Sequence, residues 1–118
     1  EPMLQDDDAL IDALHGEGYT IAIESNGTLP VPRSIDWICI SPKAGSELVQ
    51  LSGDELKLVW PQPGSDTERL VTLDFTHRLV QPLDDPNAAE NVQRCIDLVM
   101  ADPRWRLTLQ AHKALGLR

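Results

Sequence analysis

Cysteine and aromatic residues are scarce in this sequence of 118 residues, which contains two cysteines, three tryptophans, one tyrosine and one phenylalanine. Cys39 and Cys95 lie far apart inside apolar runs, and neither has a cysteine or histidine at the spacing typical of metal ligands. We therefore expect two buried thiols, as in proteins of a reducing compartment, and no metal site built on them. A chain of this length can bury a core without such supports.

The sequence also contains few basic residues and no long apolar run. Ten basic side chains stand against nineteen acidic ones, which gives a formal net charge of −9, and such a chain repels phosphate backbones and anionic membrane surfaces. No apolar run approaches the roughly 18 residues of a membrane span, and no signal peptide is visible. The sequence therefore predicts a cytoplasmic protein that binds neither nucleic acid nor membrane.

Hydrophobic patterns predict one α/β domain. Apolar residues at helical spacing predict a short helix after the acidic residues 6–8 and a longer one over residues 88–99. Strands are predicted at residues 19–23, 35–40, 55–60 and 78–80, with a final two-faced strand at 105–112. Residues 47–51 are expected to form a turn or two of helix, whereas 66–76 fits either an edge strand or a loop. The long connections between strands favour a mostly parallel sheet.

Polar residues follow several of these strands at the point where each strand ends. They are Glu24, Ser41 with Lys43, Gln81 with Asp84, and Gln110 with His112. Open parallel sheets and barrels bind their ligands at the carboxyl ends of their strands, so this coincidence predicts a site.

Each of these residues also has a simpler interpretation. Glu24 can be a solvated loop residue, since glutamate is rarely buried without a partner. Most lysines in the position of Lys43 are only hydrated, Gln81 fits a turn, and a lone histidine such as His112 is more often structural than a ligand or base. No catalytic triad, phosphate-binding loop, zinc spacing or dinucleotide fingerprint is present. The residues alone indicate a ligand-binding part of an α/β protein.

Five motifs, taken in order, give a more specific indication. They are Glu1-Pro2-Met3-Leu4-Gln5, Ile23-Glu24-Ser25-Asn26-Gly27-Thr28, Ser41-Pro42-Lys43, Val80-Gln81-Pro82-Leu83-Asp84, and the ending W-R-L-T-L-Q-A-H-K at residues 105–113. Together they closely resemble the 7-carboxy-7-deazaguanine synthases, a family of radical S-adenosylmethionine enzymes. The second and third motifs are shared with related activating enzymes, whereas the ending is more particular to this family.

The resemblance implies a fold and a set of contacts. The fold would be the carboxyl-terminal half of a modified, incomplete (β/α) barrel, with residues 1–118 forming one partial radical S-adenosylmethionine domain that lacks the cluster-binding half. Contacts to S-adenosylmethionine are implied for Glu24, Ser41, Pro42, Lys43, Gln81, Pro82, Leu83 and Asp84. His112 and Arg118 match positions that close over a pterin substrate. Lys43 or His112 would orient ligands rather than act as nucleophiles.

The same resemblance implies cofactors that this stretch cannot hold by itself. Two distant cysteines cannot supply the thiolates of a [4Fe-4S] cluster, so the cluster ligands and the Mg²⁺ ligand are expected upstream, and these 118 residues alone are expected to be inactive. The intact enzyme would use the cluster and S-adenosylmethionine to start a radical ring contraction of 6-carboxy-5,6,7,8-tetrahydropterin. The products would be ammonia and 7-carboxy-7-deazaguanine, which feeds queuosine or another deazapurine.

Partners and alternatives follow from the same comparison. A homodimer and an electron donor such as flavodoxin are expected. One alternative is a glycyl-radical activating enzyme, although that class needs a basic or apolar docking patch and this acidic chain shows none. Another is a non-catalytic half-barrel binding module. Because half a barrel leaves strand edges uncovered, the isolated piece is expected to dimerise or to be only marginally folded.

Overall fold

The computed structural model describes residues 8–32 and 34–109, which form three helices and five strands. The helices are α1 (Asp8–Gly16), α2 (Thr67–Leu70) and α3 (Ala88–Ala101). The strands are β1 (Ala22–Ser25), β2 (Trp37–Ile40), β3 (Ser52–Trp60), β4 (Asp74–Pro82) and β5 (Arg106–Leu107).

The five strands make one sheet in the order β1-β2-β3-β4-β5, and every neighbouring pair is parallel. Parallel strands in sequence order, with helices in the last two connections, are the arrangement found in a segment of a (β/α) barrel. The expectation of an α/β fold with parallel strands is confirmed. Across the described ranges, no helix is both long enough and apolar enough to span a bilayer.

One face of the sheet carries the apolar core. Ile40, Leu56, Leu58 and Val80 are fully buried there, and α3 contributes Cys95, which is also fully buried. Because side chains alternate between the two faces of a strand, Glu24, Cys39, Glu55, Lys57 and His77 project from the opposite face, which we call the polar face. Two contacts agree with this assignment, an ion pair between Lys57 and Glu24 and a stack of Trp37 on His77 with ring centroids 5.9 Å apart.

The bounds of several strands differ from the sequence prediction, at β2 and β3 as well as at β1 and β4. β1 begins at Ala22 rather than Tyr19, which is 63% exposed, and it continues to Ser25. β4 runs for nine residues instead of three, because its whole length pairs with the nine-residue β3. The ambiguous segment 66–76 contains α2, whose amino end is capped by the Asp66 side chain accepting from the Arg69 backbone N–H at 3.1 Å, and the start of β4.

The helix expected at residues 47–51 is wrong. The backbone N–H groups of Val49 and Gln50 both donate to the carbonyl of Gly27, at 2.8 and 3.0 Å, so this segment is held by the turn after β1 instead of by its own helical bonds. Sequence periodicity does not report such a competing tertiary interaction.

The final strand is shorter than predicted within the described residues. Only Arg106 and Leu107 pair with β4, although the backbone N–H of Thr108 still donates to the carbonyl of Val80 at 2.9 Å. Trp105 is buried, but Leu107 and Leu109 are 38% and 50% exposed. The alternating pattern therefore does not produce a fully covered apolar face here. Residues 110–112 of the predicted strand lie outside the described residues.

Candidate functional site

The carboxyl ends of the parallel strands place most of the candidate residues along one edge of the sheet. Glu24 is the penultimate residue of β1, Ser41 follows the last residue of β2, and Gln81 and Pro82 end β4. The Ser41 backbone N–H donates to the carbonyl of Ser25 at 2.8 Å, which makes the first two segments direct neighbours. β3 separates them from Gln81.

The turn after β1 is built by its own polar side chains. The Ser25 hydroxyl accepts from the Gly27 N–H at 3.0 Å, and the Asn26 side-chain oxygen accepts from both the N–H and the hydroxyl of Thr28. Gly27 has a φ of 77°, a conformation that favours glycine. The Ser-Asn-Gly-Thr part of the second motif therefore has a structural role in shaping this turn.

A glutamine holds the segment after β2 in place. The Gln62 side-chain nitrogen donates to the Val59 carbonyl at 3.0 Å and to the Pro42 carbonyl at 3.5 Å, while its oxygen accepts from the Ala44 N–H. The backbone around Pro42 is thereby tied to the end of β3. Sequence reasoning missed Gln62, whose only local signal is its position between Pro61 and Pro63 at the end of a strand.

A solvent-open cleft lies beside this segment. Pro42, Lys43, Asp66 and Arg69 are among the residues that line it. Among the described residues, the other candidates do not line this cleft. Ser41 and Pro42 are buried while Lys43 is exposed. The lysine is therefore the residue of this motif that is most accessible to a ligand.

The segment after β4 is fixed by a buried residue of α3. Asn91, only 4% exposed, donates through its side-chain nitrogen to the Leu83 carbonyl at 2.9 Å and to the Asp85 carboxylate at 2.7 Å. The Leu83 N–H donates to the Trp60 carbonyl at 2.8 Å. Pro82 and Leu83 are half-buried, and Asp84 is exposed. The fourth motif is therefore rigidly placed, and Asn91 is another residue that sequence reasoning missed.

Gln81 is largely buried at 9% exposure, and it follows Val80 of the core. Its position in β4 pairs with Val59 of β3. By strand alternation its side chain belongs to the polar face, like that of His77, which lies four residues earlier on the same strand. An amide in this setting can both donate and accept hydrogen bonds.

The polar face also contains an ion pair that the sequence did not predict. Lys57 Nζ lies 2.9 Å from Glu24 Oε1, and Cys39 Sγ lies 3.5 Å from Glu55 Oε1. Burial raises the pKa of Cys39 to about 12, and the neighbouring carboxylates of Glu55 and Glu24 act in the same direction. Cys39 is therefore a neutral thiol at physiological pH.

Neither cysteine is placed to hold an iron-sulfur cluster. Cys39 lies on the polar face, whereas Cys95 lies in α3 on the core side, where its thiol is 3.5 Å from the Trp60 carbonyl and burial raises its pKa to about 11. In the part of the chain that the structure describes, no group of three or more histidine, cysteine, aspartate or glutamate residues is arranged to hold a metal ion. His112 and Arg118 lie outside the described residues.

Comparisons with known proteins give a consistent result. The chain is 53% identical over 118 residues to the 7-carboxy-7-deazaguanine synthase of Bradyrhizobium diazoefficiens, with all of this chain and 56% of that protein covered. It is 50% identical over 117 residues to the protein of the same name from Caulobacter vibrioides, covering 99% of this chain and 56% of that protein. The Bacteroides thetaiotaomicron protein of that name is 45% identical over 118 residues, with 100% and 62% covered. No protein-family profile matches the chain.

Proposed function

We propose that this chain, which is homologous over its whole length to part of the 7-carboxy-7-deazaguanine synthases, belongs to an enzyme with that activity. The observation that carries the proposal is the identity of 45–53% to three proteins of that name across essentially every residue of the chain. The chain spans a little more than half the length of these relatives, so the activity is proposed for a whole protein of their length.

The substrate proposed for the whole protein is 6-carboxy-5,6,7,8-tetrahydropterin, and the products are 7-carboxy-7-deazaguanine and ammonia. The described residues fit one of the required cofactors, S-adenosylmethionine, because mixed polar groups on rigid segments collect at the carboxyl edge of a parallel sheet. When bound, S-adenosylmethionine supplies the radical that begins the ring contraction.

The chain's own residues would bind and orient that cofactor. Ser41, Pro42 and Lys43 form one wall of the proposed site, and Gln81 offers an amide for hydrogen bonds to a nucleoside. Gln62 and Asn91 keep the backbone of the two segments fixed, which preserves the orientation of the bound group. Glu24 supplies a carboxylate that can accept a hydrogen bond from the ligand.

The fourth motif, which contains Gln81, completes this set in the proposal. Pro82 and Leu83 supply apolar surface beside the amide, and Asp84 is the exposed acidic residue at its end. We also propose that His112 and Arg118 contact the pterin, in accordance with the family resemblance.

The described residues do not fit a [4Fe-4S] cluster, because the thiols of Cys39 and Cys95 are separated, and among them no group of three or more histidine, cysteine, aspartate or glutamate side chains is arranged to hold a metal ion such as Mg²⁺. We propose that both are held by other parts of a protein as long as the relatives. A homodimer, an electron donor such as flavodoxin and a cytoplasmic location complete the proposal. These rest on the family resemblance, and the acidic charge of −9 is compatible with a small-molecule substrate.

The decisive experiment uses the full-length protein with its cluster reconstituted anaerobically. Incubation with S-adenosylmethionine, a reductant and the pterin is expected to yield 5′-deoxyadenosine and 7-carboxy-7-deazaguanine. The variant Gln81→Ala is expected to raise the KM for S-adenosylmethionine up to about tenfold, the equivalent of one neutral hydrogen bond. Gln93→Ala, which removes an exposed glutamine of α3, is the matched control and should behave like the wild type.

Two results would contradict this proposal. A reconstituted protein that binds S-adenosylmethionine but forms no deazapurine would exclude the synthase activity and favour another radical enzyme. A protein that binds neither a cluster nor S-adenosylmethionine would favour the non-catalytic module.

A further inference from the structure

The ion pair between β1 and β3 reaches across an intervening strand. Glu24 of β1 pairs in register with Cys39 of β2, which pairs with Glu55 of β3. Lys57 lies two residues beyond Glu55 on the same face, and its Nζ extends back over β2 to within 2.9 Å of Glu24 Oε1. The contact therefore depends on the register of three strands.

The two partners of this pair differ in how far they are buried. The Lys57 side chain is 19% exposed, whereas the Glu24 side chain is 55% exposed. The lysine side chain lies against the sheet, and its ammonium group contacts the carboxylate on the side that faces the sheet. Lys57 uses one carboxylate oxygen, and the exposure of Glu24 leaves its carboxylate accessible from solvent.

The ammonium group of Lys57 stays charged in this environment. Burial acts to lower the pKa of Lys57, but the hydrogen bond and charge of Glu24, together with the Cys39 thiol and the Glu55 carboxylate, leave it above its usual value. The positive charge of Lys57 is thus fixed next to the Glu24 carboxylate. In the function proposed above, that carboxylate contacts S-adenosylmethionine.

Stabilisation of the fold alone is a weak explanation for this arrangement. Ion pairs with an exposed partner usually contribute about 0–1 kcal/mol to stability, because the charges are screened and the side chains lose freedom. Fixing the rotamer of a ligand-binding carboxylate has a larger effect on affinity, since the loss of side-chain freedom then no longer opposes binding.

We propose that Lys57 is a positioning residue that holds the Glu24 carboxylate in the orientation in which it contacts bound S-adenosylmethionine. Lys57 does not itself touch the ligand. The inference rests on the proposed function, because that function supplies the ligand of Glu24.

The test uses the reconstituted full-length protein and the variants Lys57→Met, Lys57→Arg, Glu24→Gln and the double variant. Lys57→Met should raise the KM for S-adenosylmethionine roughly tenfold and change kcat by less than about threefold. Lys57→Arg retains the charge and should restore most of the affinity. In the Glu24→Gln background, Lys57→Met should raise the KM for S-adenosylmethionine by less than about a further twofold, because the carboxylate that Lys57 positions is already absent.

Matched controls separate this role from a structural one. Arg94→Met removes an exposed ion pair with Glu90, 3.1 Å long, far along the sequence in α3, and should leave KM unchanged. If Lys57→Met does not fold, Lys57→Gln provides the same comparison with a polar side chain. Circular dichroism melts of each variant show whether a change in KM accompanies loss of structure.

The outcomes separate the two proposals. Wild-type protein that makes no deazapurine contradicts the proposed function. Active wild-type protein together with an unchanged KM in Lys57→Met overturns the positioning role alone. The positioning role is also overturned if Lys57→Met raises the KM in the Glu24→Gln background by as much as it does in the wild type, because Lys57 would then act independently of Glu24.

Discussion

Among single residues, Gly27 has the tightest requirement in the turn after β1. Its φ of 77° is in the left-handed region, and an added Cβ would lie 2.5 Å from Leu48 Cδ1 and 2.8 Å from Ile40 Cγ2. Its carbonyl also receives the two N–H groups that hold residues 49 and 50. Backbone conformation, close packing and loop anchoring therefore all depend on one position.

Gly27→Ala is expected to lower the free energy of unfolding by about 2–5 kcal/mol, from left-handed strain of about 1–2 kcal/mol and overpacking of about 1–3 kcal/mol. Gly45→Ala is the matched control, because Gly45 has a φ of 83° but nothing within 4 Å of the added Cβ. Gly45→Ala should lower the free energy of unfolding only by the strain of the left-handed backbone. Urea unfolding measures both, and equal losses for the two variants would contradict the packing argument.

The two thiols provide a second prediction for single residues. Cys39 is 7% exposed and Cys95 is fully buried, so neither should react with a thiol reagent at pH 8 until the protein is unfolded. Their folded pKa values, about 12 and about 11, lie above the ordinary 9.0. The resulting contribution to stability is fully present below pH 9 and is lost as the pH rises through those values.

Alkaline unfolding checks this sign. The double variant Cys39→Ala/Cys95→Ala should lose less stability between pH 9 and 11 than the wild type. Rapid labelling of either thiol in the native protein at pH 8 would show that the burial described for it is incorrect.

Among the elements, α3 positions the segment after β4 as well as covering the core. Asn91 faces the sheet one turn before Cys95, and its side-chain nitrogen bonds both Leu83 and Asp85. The backbone N–H of Asn87 also donates to Asp85, at 2.8 Å. The beginning of the helix and the end of the strand are therefore joined through one amide and one carboxylate.

Asn91→Ala should lower the free energy of unfolding by about 1–3 kcal/mol, because the half-buried Leu83 carbonyl and Asp85 carboxylate each lose the hydrogen bond that the buried Asn91 amide donates. Hydrogen exchange at residues 83–87 should also become faster. Gln93→Ala is the control on the same helix, since the Gln93 side chain bonds Asp97 at an exposed position and its loss should change stability by less than about 0.5 kcal/mol. Equal effects from both variants would count against the anchoring role.

At the scale of the whole molecule, apolar side chains remain exposed near one end of the sheet. Four of them belong to α3 or follow it: Ile96 at 37%, Met100 at 77%, Leu107 at 38% and Leu109 at 50%. β5 is last in the strand order and pairs only with β4 within the described residues. Exposed apolar side chains beside a strand edge favour association.

The 118-residue chain by itself is therefore expected to self-associate at micromolar concentration. Sedimentation velocity should show a dimer or larger species, and Met100→Lys combined with Leu109→Lys should shift it toward monomer without reducing helix content. Tyr19→Lys is the control, since Tyr19 is 63% exposed but lies before β1. A sharply cooperative, monomeric melt of the unsubstituted chain would contradict this expectation.

The sequence by itself determined the fold class and the edge at which candidate residues collect. Apolar residues recur at helical spacing over residues 88–99, and this segment forms most of α3. Buried apolar runs that end in polar residues gave strands near their observed positions, because burial and turn formation depend on local composition. The parallel sheet then brought Glu24 and Ser41 to the same edge, as predicted from the strand ends.

Only the tertiary structure decided which side chains meet. The Lys57–Glu24 pair depends on the register of three strands, and Gln62 reaches a segment about twenty residues away. The non-helical path of residues 47–51 and the length of β4 also follow from partners distant in sequence. Periodicity reports the face on which a residue lies, whereas contacts between elements depend on packing and register, which local patterns do not specify.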